Sequence, residues 1–172
     1  MSPASACRPR RGMGRLEILI VLLVMGVLAA LAVPKLANGA QVLRESRLKE
    51  QLRFLRTQIG LYGSQHLVVF PGYPDGEITQ RPSAATFVEQ LTHPTDEQGH
   101  TAAQRSERHC FGPYLEAIPA NPLNNSAIVK ILGPRDSFVA DGISGWLYQP
   151  VTGQLEPNVP ATDSEGRLFS DY

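Results

Sequence analysis

Apolar residues follow one another almost without interruption from Leu16 to Val33, and Glu17 is the one charged residue in that run. At about 1.5 Å of rise per residue, a helix of this length matches the roughly 30 Å hydrocarbon core of a bilayer. A core helix would alternate with polar positions, and the apolar part of a secretory signal is usually about 7–15 residues long. Ala30-Leu31-Ala32 does imitate a signal cleavage site. The pattern predicts a membrane-spanning helix over residues 13–34.

Beyond Pro34 the pattern becomes amphipathic. Apolar positions recur in alternating steps of four and three, which is the spacing of one helical face. They are Leu48, Leu52, Leu55, Ile59, Tyr62 and His66. We predict that the helix continues over residues 35–66 and packs this stripe against the rest of the chain, with a coiled-coil seam as the alternative. Glu45 and Lys49 lie at the favourable i,i+4 spacing, and Pro34 and Gly39 predict a helix break or kink.

Residues 67–156 have the pattern of a small globular domain. Ser83 is placed to cap a short helix that ends before Pro94. Residues 92–109 are polar and predict a mobile surface loop, and residues 111–123 are rich in proline and aromatic residues, which indicates an extended crossing held by the core. Alternating apolar positions predict strands at 127–132, 137–140, 146–149 and 154–156, the last two forming a hairpin. The polar tail, residues 157–172, is expected to be loose.

Alternation in the third predicted strand indicates that it has one buried face. Trp146 and Tyr148 would pack inward, and Leu147 would look outward. Together these elements predict an α+β fold. A long N-terminal helix, its first half membrane-spanning, packs its second half against a small antiparallel sheet of three or four strands.

Charge and motifs exclude several classes of function. Lys and Arg number 16, and Asp and Glu also number 16, so no overall bias indicates a nucleic-acid partner. The chain has no Gly-rich phosphate loop and no G-x-S-x-G motif, and we expect no enzyme activity. His93, His100 and His109 lie near Cys110, but their spacing matches no zinc pattern, which favours solvated loop histidines.

Glu17 is the residue of this run that most needs an explanation. A carboxylate in an apolar helix costs a few kcal/mol unless it is paired, so it marks a candidate functional site. Arg15 lies too close in sequence to share its face, because facing neighbours are three or four residues apart. The partner must therefore come from elsewhere, unless Glu17 simply stays solvated.

Gly12, Met13 and Glu17, followed by an apolar helix that Gly26 and Pro34 interrupt, match the N-terminal pattern of a known family. In this respect the chain resembles the type IV pilins and the pseudopilins of type II secretion systems. The resemblance implies that a prepilin peptidase removes a leader of residues 1–12 by cutting between Gly12 and Met13, and methylates the new amine of Met13. It also implies that this amine pairs with Glu17 of a neighbouring copy. Arg15 departs from the family pattern and could disturb processing.

Later segments carry the same resemblance. Gly112-Pro113-Tyr114-Leu115, Asn121-Pro122-Leu123 and Gly145-Trp146-Leu147-Tyr148 are similar to the globular part of a major pseudopilin. No cofactor is expected, although the family often binds calcium near the C-terminus. The candidate oxygen ligands, which lack the spacing of an EF-hand, are Asp136, Asp141, Asp163 and Glu165. Loss of the leader would also remove Cys7 and leave Cys110 without an intramolecular partner.

The resemblance implies a structural subunit that self-associates into a short helical fibre of a type II secretion system. The subunit is expected to cross the inner membrane once, with its N-terminus in the cytoplasm and its C-terminal domain outside the cytoplasm. The implied partners are further copies, the prepilin peptidase, the inner-membrane assembly platform with its ATPase, and the lipid bilayer, but not nucleic acid. The alternatives are a type IV pilin for adhesion or DNA uptake, a membrane-anchored binding protein that does not polymerise, and a secreted enzyme released by cleavage near Ala32.

Overall fold

The computed structural model describes residues 14–172, except for the side chains of residues 29–38. The chain divides into two compact units, Met1–Ala40 and Gln41–Tyr172. Within residues 14–172 the chain forms two α-helices and three strands, together with short 3₁₀ turns at Pro74–Gly76 and Phe169–Asp171. The helices are α1 (Arg15–Gln65) and α2 (Ala84–Thr92), and the strands are β1 (Val129–Ile131), β2 (Trp146–Gln149) and β3 (Gln154–Pro157). The α+β class is therefore confirmed.

The membrane-spanning helix is not confirmed. Over the part of the chain that the structure describes, no helix has the length and apolarity needed to cross a bilayer. The apolar side chains described at the start of α1 run from Leu16 to Leu28. The prediction of a membrane-spanning helix over 13–34 is therefore wrong, and so is the single-pass inner-membrane location that was based on it.

The apolar stripe of α1 is the centre of the core, as predicted. Its six members, Leu48, Leu52, Leu55, Ile59, Tyr62 and His66, are each at most 2% exposed. Phe87 and Leu91 of α2, Trp146 and Tyr148 of β2, and Leu155 of β3 belong to the same cluster. Burying an aliphatic or aromatic side chain contributes about 1.5–3 kcal/mol, so this stripe holds the second half of α1 to its own domain rather than to a coiled-coil partner.

Helix α2 begins and ends as its sequence predicts. The Ser83 side chain accepts a hydrogen bond from the Thr86 N–H at 3.0 Å, which satisfies one of the free donors of the first turn. The helix ends at Thr92, two residues before Pro94. The extended segment predicted at residues 111–123 is held against α2, because the N–H groups of Tyr114 and Leu115 both donate to the Leu91 carbonyl at 2.9 Å.

The sheet is mixed rather than antiparallel. β2 and β3 form the predicted hairpin, but β1 pairs with β2 in parallel, with Val129 opposite Trp146. Parallel neighbours need a long crossover, and the residues between β1 and β2 supply it. Residues 137–140, predicted as a strand, belong to that crossover and form no strand.

Leu147 does not look outward as predicted, because it is only 1% exposed. It shares its face of the sheet with Lys130 and Gln149. The crossover contacts both neighbours, since Lys130 Nζ lies 2.7 Å from Asp141 Oδ2 and Gln149 Nε2 donates to the Gly133 carbonyl at 2.9 Å. Both faces of β2 are therefore covered.

The tail over residues 157–172 is packed, which corrects the expectation of a loose segment. Phe169 is 3% exposed and belongs to the core. Ser164 donates from its N–H and its hydroxyl to the Glu45 carboxylate at 3.0 and 2.8 Å. Glu45 is thus a buried acceptor for the tail, and Lys49 lies instead over the Tyr172 ring at 4.4 Å.

Gly145 precedes β2 at a point where two backbone segments approach closely. A Cβ atom there would collide with the Ser126 carbonyl oxygen. We predict that Gly145→Ala lowers the free energy of unfolding by about 2–3 kcal/mol, because the backbone itself would have to move. Chemical denaturation followed by Trp146 fluorescence checks this, with Gly60→Ala as the control because a Cβ at Gly60 meets nothing within 4 Å. Equal losses in both variants would contradict the prediction.

Candidate assembly surface

The first part of α1 exposes apolar side chains around its whole circumference. Eleven large apolar residues between Leu16 and Leu28 are each 47–72% exposed. They include five in succession, Ile18 to Leu22, and successive helical residues are about 100° apart, so no polar face remains. A helix that is apolar on every side is normally covered, and exposed patches of this size mark interaction sites. We call residues Leu16–Leu28 the apolar segment.

Glu17 lies in the first turn of α1 and is exposed. Its N–H donates to the Gly14 carbonyl at 2.9 Å, so the helix begins just before it. A carboxylate in a first turn interacts favourably with the positive end of the helix dipole. The cleavage site, Gly12 and Met13, lies outside the described residues, and pairing of Glu17 with the Met13 amine stays a prediction. Pro34 and Gly39 both lie within α1, and the kink predicted there also remains a prediction.

The end of α1 is fixed by a buried histidine. His66 is 2% exposed and stacks on Tyr62, with ring centroids 3.7 Å apart. Its Nδ1 lies 2.7 Å from the Tyr62 carbonyl, which can only accept, so Nδ1 carries the proton. In the neutral ring Nε2 is then the acceptor for the Thr95 hydroxyl at 2.9 Å. Burial lowers the pKa of His66, and the hydrogen bond to Tyr62 opposes that shift only in part.

This histidine should make stability depend on pH. Because the folded-state pKa of His66 is lowered, the unfolded chain takes up a proton first as the pH falls below about 6.5. We predict full stability above pH 7 and a decline between about pH 6.5 and 5, measured by urea denaturation. His66→Gln should flatten that part of the profile, while His93→Gln, at an exposed position, should leave it unchanged. An unaltered slope in His66→Gln would contradict this account.

Asp96 is a buried carboxylate that sequence reasoning missed. Its side chain is 2% exposed and accepts hydrogen bonds from the N–H groups of Gln98 and His100, from His100 Nδ1 at 3.0 Å and from Arg108 Nε at 3.0 Å. Burial alone would raise its pKa, but the His100 and Arg108 hydrogen bonds outweigh it and the pKa is lowered. The sequence does indicate a turn at this point, because the segment Asp96-Glu97-Gln98-Gly99 begins with aspartate and ends with glycine.

The same contacts correct the prediction of a mobile loop at 92–109. Thr95 is fully buried and forms β-bridges with Thr101 and Phe111. The histidines of this stretch serve separate local contacts: His93 with the Thr92 hydroxyl, His100 with Asp96, and His109 with Ser106. Within residues 14–172, Cys110 is an exposed free thiol.

The four calcium candidates are engaged with protein donors. Asp136 accepts a hydrogen bond from the Gly133 N–H at 2.7 Å. Asp141 accepts from Lys130 Nζ and Asn158 Nδ2, and these bonds hold the Asp141 pKa far below its usual range.

The two candidates in the tail are also engaged. Asp163 accepts from the Tyr172 hydroxyl, and this bond, aided by the N–H groups of Arg167 and Glu165, lowers the pKa of Asp163 to about 2. Glu165 pairs with Arg167 at 2.6 Å. Over the described residues, no three His, Cys, Asp or Glu side chains converge as metal ligands.

The apolar segment is therefore the feature of the described chain that most needs a partner. Comparisons with protein-family models, curated proteins and solved structures found no match. What the chain does is inferred from its own residues.

Proposed function

We propose that this chain is a structural subunit of a helical fibre of the pseudopilin kind, in which copies pack together through the apolar segment. The observation that carries the proposal is the exposure of that segment on all sides of α1. One neighbour can cover only one side of such a helix. Complete burial requires several neighbours around each copy, and a repeating helical array provides them.

The energetics allow such an assembly. Eleven apolar side chains are about half exposed. Covering the exposed half of each contributes about 1 kcal/mol, or on the order of 10 kcal/mol per copy. Association costs about 4–15 kcal/mol in lost freedom of motion, so contacts with several neighbours are favourable where a single contact would be marginal.

Glu17 is suited to set the register of these contacts. It is the one charged residue among the apolar residues of the segment, and it lies at the segment's N-terminal edge. If the leader is removed after Gly12, the new amine is cationic near neutral pH, with a reference pKa of about 8. Pairing the amine of one copy with Glu17 of another offsets the desolvation of both charges, whereas a shifted register leaves them unpaired.

The test is fibre formation by the chain purified after leader removal and by two matched variants treated in the same way. Leu19→Asp combined with Leu23→Asp places two charges in the apolar segment, where the wild-type residues are 63% and 69% exposed. Leu67→Asp combined with Val68→Asp changes two equally exposed apolar residues in the other unit, 67% and 78% exposed. Negative-stain electron microscopy and sedimentation should show fibres for the wild type and for the second variant, but none for the first. A monomeric wild type, or fibres of the first variant at wild-type yield, would contradict the proposal.

Processing is checked separately by intact mass. The chain is produced with and without a prepilin peptidase. The expected product starts at Met13 and carries one added methyl group, and Gly12→Val should retain the leader. A product of full length in the presence of an active peptidase would remove the processing step from the proposal.

A further inference from the structure

A cleft rich in cations lies between α1 and the C-terminal tail. Its volume is about 300 Å³, and Lys49, Arg53, Arg56 and Arg167 line it together with a single carboxylate, Asp171. We call these five residues the basic cleft. All lie within the unit Gln41–Tyr172. Such a concentration of one charge in a concave surface strengthens attraction for an anionic group.

Two of these cations lack a counter-charge among the described residues. Lys49 and Arg53 form no ion pair there, whereas Arg167 pairs with Asp163 and Glu165, and Arg56 interacts electrostatically with Glu156. The Arg56 guanidinium also donates to main-chain oxygens, at 2.8 and 3.0 Å to Leu155 and at 2.7 Å to Tyr172. These bonds fix the position of the Arg56 guanidinium. The cleft is therefore prepared for carboxylates from outside the chain.

The rest of the same unit carries the opposite charge. Between residues 41 and 65 there are five Lys or Arg and two Asp or Glu, a net charge of +3. Between residues 66 and 172 there are six Lys or Arg and thirteen Asp or Glu, a net charge of −7. A second copy of this chain is thus an anionic partner for the basic cleft.

Three exposed acidic residues of the same unit lie on two short segments that contact each other. Asp75, Glu77 and Glu97 are exposed. A Cβ atom at Gly76 would collide with the Gln98 carbonyl oxygen, and His100 Nε2 lies 3.9 Å from Asp75 Oδ1, so the two short segments lie close together. We call Asp75, Glu77 and Glu97 the acidic turn. It is anionic, and the basic cleft is cationic.

We propose that the acidic turn of one copy docks in the basic cleft of the next copy along the fibre. This inference rests on the proposed function and adds a polar contact between the units that carry the charges. The turn follows the end of α1 at Gln65, and the cleft is lined by Arg53, which precedes Gln65 by about 18 Å along the helix axis. Because the turn and the cleft are two different surfaces, their contact is heterologous. Such a contact can repeat from copy to copy into an open filament instead of closing a dimer.

A charge-swap experiment tests the contact. Variant A carries Lys49→Glu and Arg53→Glu, and variant B carries Asp75→Lys and Glu77→Lys. Each variant alone sets like charges against each other, and we expect its critical concentration for fibre formation to rise at least tenfold at 50 mM salt. In an equimolar mixture each reversed surface meets its complement on the other variant, so A and B should assemble together at close to the wild-type concentration. Arg135→Glu with Glu107→Lys, at exposed positions elsewhere, is the control.

The outcomes separate this inference from the proposed function. If wild type forms fibres and variants A and B do so equally well, the docking contact is wrong and the fibre stands. If the mixture of A and B fails to assemble, the cleft and the turn do not contact each other, and the cleft serves another anion. If wild type forms no fibre, both proposals fail. Circular dichroism and urea denaturation of A and B show whether each variant is folded before assembly is scored.

Discussion

Glu17→Ala should abolish fibre formation while leaving the second unit folded. The wild-type carboxylate is exposed in the first turn of α1, at the edge of the apolar segment. In the fibre we expect it to meet the freed amine of a neighbouring copy, and an alanine would leave that amine buried without a partner. Breaking one side of a buried ion pair costs about 3–5 kcal/mol, which corresponds to more than a hundredfold in assembly. Sedimentation and electron microscopy measure the yield of fibres.

Two further variants show whether the loss of fibres results from the loss of the Glu17 charge. Glu17→Gln keeps the size and hydrogen-bonding capacity of the side chain but removes its charge, so it should fail almost as completely as alanine. Glu50→Ala removes an exposed carboxylate elsewhere on α1 and should assemble normally. Urea denaturation of Glu17→Ala should match the wild type. Normal fibres from Glu17→Ala would show that the amine pairing does not hold the copies in register.

Trp146→Ala should destabilise the second unit more than any other single substitution proposed. Trp146 is fully buried in the core cluster, and its Nε1 donates to the Pro119 carbonyl at 2.9 Å. Truncating a buried tryptophan leaves a cavity and costs about 3–5 kcal/mol, and the unpaired carbonyl adds to that loss. Because a domain of this size is stabilised by only about 5–15 kcal/mol, the variant should be partly unfolded near body temperature.

Circular dichroism is the suitable probe, since Trp146 is the single tryptophan of the chain. Trp146→Phe serves as the control. It retains an aromatic ring and should lose about half as much stability, mostly through the lost hydrogen bond and a smaller ring. A loss below about 1 kcal/mol in Trp146→Ala would mean that the core is not organised around β2.

The parts of the fold that sequence reasoning predicted are those fixed by local spacing. The stripe on α1 depends on a period of three and four residues, and Ser83 caps a helix that begins one residue later. The β2–β3 hairpin also follows from neighbouring residues, because Pro150 to Gly153 form the turn between its strands.

The parts that were missed depend on contacts between distant residues. Glu45 binds Ser164 across 119 positions of sequence, and nothing near either residue indicates the other. The parallel pairing of β1 with β2 likewise depends on a crossover whose path is set by Asp141, Asn158 and Lys130. The i,i+4 spacing of Glu45 and Lys49 suggested an ion pair between them. In the structure both side chains instead contact the packed tail.

The apolar run shows a different limit of sequence reasoning. An unbroken series of apolar residues indicates that a helix must be covered, but the same pattern suits lipid or other helices. Over the described residues, no helix is long and apolar enough to span a bilayer. Packing between copies is the proposal that the exposed apolar segment supports.

The central claim is that apolar segments of different copies contact one another, and site-specific crosslinking tests it most directly. A photoreactive amino acid is placed at Leu23, which is 69% exposed, and for comparison at Val139, which is 68% exposed in the other unit. Irradiation of assembled protein should give a ladder of dimers, trimers and higher multimers for Leu23, with the crosslinks mapping to residues 16–28 of the neighbour. A Leu23 sample that remains monomeric after irradiation, or crosslinks only to residues 41–172, would contradict it.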